Sequence, residues 1–273
     1  MPLYGTCKLC LQNKPLRKSH LIAAGFYRIL RNLEANNANP VVVNKRRAMR
    51  CSLQVKDYVL CSDCEELLNR NGERWVINNC YNGSAFPLRS ALTKVNPVVS
   101  GLDCQAFSCA ATPSIHLDDL VYFASSVFWR ASVHEWHVKG GTPASIDLGR
   151  TYEDSFRLFL KGDGPFPKDA AIWVFVSSNP DPLGAFYFPC AGRHATHRSY
   201  IFAILGIEFI LFVGKGMPIG TRRACSFRSP QKYLYLYLSP YVDRNTIKML
   251  GRLMSSSVAS TEVSDGIKNA LSS

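Results

Sequence analysis

Two segments decide how this chain is read: CKLC at residues 7–10 and VLCSDCEELLNRNGERW at residues 59–75. Each carries a Cys-x-x-Cys pair, Cys7 with Cys10 and Cys61 with Cys64. Two intervening residues let both thiolates of a pair reach one tetrahedral ion at about 2.3 Å, and two such pairs complete a closed Zn²⁺ site. The second pair runs directly into a helical pattern, which puts Cys64 at a helix N-terminus, where thiolate charge is favoured. The alternative, redox chemistry, fits less well. Two pairs are present, and no thioredoxin-like βαβ pattern surrounds either of them.

Two knuckles bracketing about fifty residues, with a helix after the second, predict a treble-clef zinc finger with a long insertion. Within the insertion, LRKSHLI (residues 16–22) places His20 on a short apolar strand. Ile22, Phe26, Ile29, Leu30 and Leu33 repeat at helical spacing, so an amphipathic helix is expected over residues 23–34. Asn36, Asn37, Asn39 and Pro40 end it, and Val55 to Leu60 reads as the strand that delivers Cys61. In the helix that follows, Glu65, Asn69 and Glu73 stand at i, i+4 and i+8 and share one face. Gly72 costs about 1 kcal/mol there relative to alanine and is the expected break point.

The 273 residues, 47% hydrophobic and 19% charged, are those of a globular protein. The formal net charge is +12, and it is unevenly spread: residues 1–113 hold 15 basic against 7 acidic side chains, residues 114–273 hold 17 against 13. The excess sits beside the zinc pattern and calls for a polyanionic partner, most simply nucleic acid. Arg17, Lys18, Lys45, Arg46, Arg47 and Arg50, with Arg28 and Arg31 on the intervening helix, are candidate phosphate contacts. A solvated basic surface is the plainer alternative. No secretory pattern opens the chain, so a reducing cytoplasmic setting is expected, with Cys-x-x-Cys spacing meaning metal before disulfide. The longest apolar run, Ile201 to Val213, is short and contains Glu208, so no membrane span is expected.

The zinc-binding unit is assigned to residues 1–94, and the small, nearly uncharged stretch 95–114 is read as a linker. Residues 115–254 then form an α+β domain on a mainly antiparallel sheet. It has one helix over 117–137 and strand-like runs at 171–177, 185–188, 200–205, 208–213 and 233–238. Residues 255–273 are Ser-rich and read as a frayed tail. His134 and His137 in HEWH read as helix surface, and the alternating YLYLYL as a two-faced strand.

CKLC, KSHLI and VLCSDCE together resemble the zinc-containing HNH endonucleases, one of the ββα-metal families, over roughly residues 5–75. By that resemblance Cys7, Cys10, Cys61 and Cys64 hold a structural zinc. His20 is the general base that activates water against a phosphodiester, and a single Mg²⁺ or Mn²⁺ binds beside it. The chain departs from the family at three places: Ser19 precedes the base, Lys56 and Asp57 stand near the family's asparagine, and Glu65 replaces a histidine after the last cysteine. The resemblance therefore implies a site in which Asp57 orients the His20 ring and Glu65, with Glu73, binds the catalytic ion. The function implied is a metal-dependent endonuclease acting on nucleic acid, DNA in the first instance. The alternatives are a zinc module that binds nucleic acid without cutting it, or a protein-interaction scaffold.

Overall fold

The first cysteine pair sits in a turn between two short antiparallel strands, β1 (Tyr4–Thr6) and β2 (Asn13–His20), with Thr6 facing Asn13. The computed structural model describes residues 2–33, 41–43, 48–50, 54–100, 104–137, 144–178, 185–192, 197–227 and 232–237. Strand β2 pairs antiparallel with β5 (Lys56–Cys61), and a bulge after Arg17 sets Leu16 against Cys61 and His20 against Lys56. That register brings the second cysteine pair alongside the first. Between them, α1 (Ala24–Leu33) buries Phe26, Tyr27 and Leu30, the face expected from its periodicity.

Three helical segments run on without interruption from β5: α2 (Ser62–Leu68), a π-helical turn (Asn69–Glu73) and α3 (Arg74–Asn79). The helix widens around Gly72 and does not break there. A Cβ on Gly72 would lie 2.8 Å from the backbone nitrogen of Phe123 and 2.9 Å from the carbonyl oxygen of Asp119. The missing side chain therefore allows close approach of α5 (Leu117–Val133). A short α4 (Pro87–Leu92) follows α3, with proline in its first turn.

Helix α5 is apolar on nearly every side, the pattern of a helix buried all round. Phe123 shows why. Its ring lies 5.3 Å from Phe26 on one side, and 6.0 and 5.6 Å from Phe202 and Phe209 on the other. Ser125 and Ser126 satisfy their hydroxyls within the helix, on the carbonyls of Val121 and Phe123. Asp118 and Asp119 occupy its positive N-terminal end. The helix is the middle layer between the cysteine-bearing unit and a nine-stranded sheet, and one continuous core runs from Cys7 to Leu236.

That sheet is built from β3 (Val41–Val43), β4 (Ala48–Arg50), β6 (Val99–Ser100), β7 (Cys104–Ser108), β8 (Ala170–Ser177), β9 (Ala185–Ala191), β10 (Arg198–Ile204), β11 (Ile207–Val213) and β12 (Tyr233–Tyr237). The order is β4-β3-β9-β10-β11-β8-β12-β7-β6, antiparallel except where β3 meets β9 and β12 meets β8. The chain is thus α+β with a mainly antiparallel sheet, as expected. Leu205 and Gly206, at φ 48° and 84°, close the β10–β11 hairpin in the left-handed region that tight hairpins need. In β12 the leucines are buried, while the Tyr235 and Tyr237 hydroxyls bond Ala224 and Glu208 inside the fold. The tyrosine face is therefore packed against the protein itself.

The residue range 95–114, expected as a linker, is a correction. It carries β6 and β7, and β3 from the range assigned to the zinc unit enters the same sheet. Two further helices among the described residues are α6 (Arg150–Lys161), packed by Phe156 and Leu160, and the short α7 (Ile219–Arg223). The helix expected over 117–137 ends at Val133, where His134 turns to extended backbone. The Ser-rich stretch 255–273 lies outside the described residues.

Because the Gly72 contact is with α5 backbone, Gly72→Ala is expected to destabilise the protein by about 1–3 kcal/mol, the usual cost of overpacking. Gly220→Ala, within α7 and with nothing within 4 Å of its Cβ position, is expected to stabilise by up to about 1 kcal/mol, alanine's helix preference over glycine. Urea denaturation midpoints of the two variants check this.

Candidate functional site

The knuckle is shaped by its backbone. The Leu11 N–H donates to the Cys7 carbonyl at 2.8 Å, and the Cys7 N–H donates to the Gln12 carbonyl at 2.9 Å. Leu11 closes the turn at φ 61°, a left-handed conformation that is strained for a branched residue. From β5, the Lys8 N–H is received by Val59 at 3.1 Å, and the Cys61 N–H points at Cys7 Sγ at 3.3 Å. Cys61 caps α2 and Cys64 lies in its first turn, as the sequence predicts.

The four sulfurs of Cys7, Cys10, Cys61 and Cys64 lie within 4.8 Å of one another, and those of Cys10 and Cys61 are 3.9 Å apart. Regular tetrahedral coordination with Zn–S bonds of about 2.3 Å requires sulfurs about 3.8 Å apart. The donor set and its spacing fit zinc. The protons say the same. A hydrogen bond from Cys64 holds Cys7 down to about 4 against the cost of its burial, while that bond and burial push Cys64 up. Burial also raises Cys61. Cys7, Cys61 and Cys64 cannot all ionise unaided at this spacing, and a bound divalent cation would supply the missing positive charge.

Beside the cysteines opens a cleft of about 420 Å³. His20 reaches it from the end of β2, Glu65, Asn69 and Glu73 from the helical run, and exposed Arg17, Lys18 and Arg28 stand on its walls. His20 Nε2 is 2.6 Å from Gln54 Oε1. With that nitrogen donating to the amide oxygen, Nδ1 is left as the basic atom. Burial lowers the His20 pKa, and Lys56 and Arg130 add to the effect against the pull of Gln54. The ring is therefore neutral at pH 7. Glu65 Oε1 is buried and accepts no hydrogen bond among the described residues. Burial raises the Glu65 carboxyl, opposed by Arg130 and the Ser19 hydroxyl.

Two expected roles change. Asp57 does not orient His20: its carboxylate takes the Tyr58 N–H at 2.7 Å and pairs with His134 Nε2 at 3.0 Å. Although partial burial opposes ionisation, those two partners hold Asp57 below the usual carboxylate range. In register Asp57 faces Ser19 and Lys56 faces His20, so the position that matches the family's asparagine does not meet the ring. Glu73 lines the cleft but is nearly fully buried, and it is ion-paired with the Arg130 guanidinium, so it is not a free metal ligand. Ser19 is fully buried, and its Oγ receives the Leu60 N–H at 3.0 Å.

Of the basic candidates, Arg17 and Lys18 reach the cleft, Lys18 also lying 5.5 Å over the Tyr58 ring. Lys45, Arg46 and Arg47 lie outside the described residues, and Arg50 is described only as backbone of β4. Two residues of the site do not emerge from the sequence reading. Gln54 offers no signal without the β2–β5 register. Arg130 does: a lone arginine inside FWRAS on an otherwise apolar helix must bury its charge and find a partner.

Cys61→Ser is expected to reduce bound zinc from about one ion per chain to near none, while Cys104→Ser, remote from the four sulfurs, retains it. Colorimetric zinc release from the purified variants checks this. Among the described residues no helix is long and apolar enough to cross a membrane. No protein-family model matches the chain, and comparison with curated proteins and with solved structures gave no match, so its function is argued from this geometry.

Proposed function

We propose that this chain is a metal-dependent endonuclease of HNH-like type, with a treble-clef zinc unit in its N-terminal part and nucleic acid, in the first instance DNA, as its substrate. The observation that carries the reading is the shared cleft. A neutral imidazole, a carboxylate oxygen without a partner and three exposed cationic side chains converge on one concavity beside a four-cysteine cluster. Such a set suits phosphodiester hydrolysis: a base for water, a hard oxygen ligand for a cation, and positive charge for the backbone of the polymer. His20 takes the proton of the attacking water at Nδ1, with Gln54 fixing the ring. Glu65, with Asn69, would hold Mg²⁺ or Mn²⁺. That ion would stabilise charge on the phosphate and the departing oxygen. Arg17, Lys18 and Arg28 anchor flanking phosphates without reading sequence. Reduced thiols suit a cytoplasmic setting.

A binding-only reading draws on a different observation: with Glu73 neutralised by Arg130 and Ser19 buried, Glu65 is left as the main carboxylate for a second metal. Plasmid nicking separates the two. The endonuclease reading expects Mg²⁺- or Mn²⁺-dependent nicking that His20→Ala lowers by about 10²–10⁴-fold. It also expects a rate that holds through about pH 6.5, the ordinary histidine value, and falls only at lower pH, since burial lowers the His20 pKa and protonation there removes the base. Nicking absent with every divalent ion, with salt-sensitive DNA retention preserved, leaves the binding module. In either case, replacing Arg17, Lys18 or Arg28 by alanine is expected to reduce the slope of log affinity against log salt by about one each.

A further inference from the structure

We propose that Arg130 is a positioning residue of the cleft, through which helix α5, from the second half of the chain, fixes where the His20 imidazole stands. This rests on reading His20 as the base. The guanidinium is 1% exposed and spends its donors on two other elements and on its own helix. Nη1 donates to the His20 main-chain carbonyl at 2.7 Å. Nη2 donates to the Glu73 carboxylate in the π-helical turn and to Ser126 Oγ at 3.0 Å, and Nε donates to the Ser126 carbonyl at 3.3 Å. Its own carbonyl receives the Trp136 indole N–H at 2.8 Å, which ties the end of α5 to the same point.

His20 is the last residue of β2, where the ladder to β5 ends. Pairing continues one residue further through the Leu21 N–H, which donates to the Val55 carbonyl at 3.1 Å, and His20, just before it, carries the side chain that must be aimed. Arg130 supplies a restraint from across the layer. A planar fork is well shaped for this, because it holds a carbonyl and a carboxylate in fixed directions, which a lysine point charge does not. Stability alone does not explain the arrangement, because a buried ion pair can often be replaced by well-packed apolar residues with no loss. Geometry does explain it. His20, Glu73 and Arg130 line one cleft, and the clamp joins them. The charged groups around the imidazole are Lys56 from β5, Glu73 from the π-helical turn and Arg130 from α5. Arg17, Lys18, Arg28, Glu65 and Glu66 stand on the walls of the same cleft.

The test uses the full zinc-loaded chain and follows the His20 ¹³Cε1 resonance through a pH titration, alongside plasmid nicking. Arg130→Met is expected to raise the His20 pKa, since a nearby cation is lost and the Glu73 carboxylate is left. It is also expected to lower kcat by about 100-fold with KM unchanged, the scale of a 1 Å misplacement. Should the unpaired Glu73 prevent folding, Arg130→Met/Glu73→Leu removes both charges. It is expected to shift the neutral His20 resonance at pH 8 and to show the same loss of kcat. An unchanged His20 titration and resonance, or a loss confined to KM, overturns the proposal. If the wild type nicks no DNA, the base role of His20 falls, and the resonance measurements alone decide whether Arg130 sets the imidazole's place.

Discussion

Four thiols drawn from two distant segments must meet within a few ångströms, and the rest of the N-terminal architecture follows from that demand. The knuckle turn has to present Cys7 and Cys10 toward β5, and the bulge after Arg17 sets the register that puts Cys61 there. Cys64 then fixes the start of the helical run. Once both ends are pinned, His20 at the far end of β2 and Glu65, next after Cys64, are committed to the same neighbourhood. A cation joining the sulfurs closes a loop of about fifty residues. Because such a site does not exist in the unfolded chain, the free energy of binding the ion would add directly to the stability of the fold.

The second half of the chain is not a bystander to this geometry. Helix α5 lies between the cysteine unit and the sheet, contributing Phe123 to both sides and Arg130 to the floor of the cleft. His134, at its end, reaches back to Asp57 on β5. One ion pair, one hydrogen-bonded contact and a shared apolar core therefore link one helix to the cysteine-bearing unit. Gly72 makes room for it, and the π-helical turn around Gly72 swings Glu73 into line with Arg130. The site is built by packing as much as by the cysteine cluster.

What the sequence could reveal was whatever depends on spacing. The two Cys-x-x-Cys pairs, the position of Cys64 at a helix start, the shared line of Glu65, Asn69 and Glu73, and the central strands all follow local periods or ligand geometry, and the structure contains them. What it concealed depends on pairing between remote segments. Residues 104–108 are few and uncharged, and pairing with β12, more than a hundred residues later, and with the two-residue β6 makes them a strand. The resemblance assigns Asp57 to His20, while the folded chain offers it His134, 77 residues away. Helix α6 begins after Gly149 at φ 78°, without a Ser, Thr, Asp or Asn cap to announce it. Arg130 was legible in principle, as a charge in an apolar helix, but its partners were not.

X-ray absorption at the zinc edge of the purified full-length protein tests the founding claim most directly. A single shell of four sulfurs at about 2.3 Å is the result this account predicts. A shell containing nitrogen or oxygen, or a folded protein with no zinc edge at all, would contradict it and leave the cleft without the anchor that assembles it.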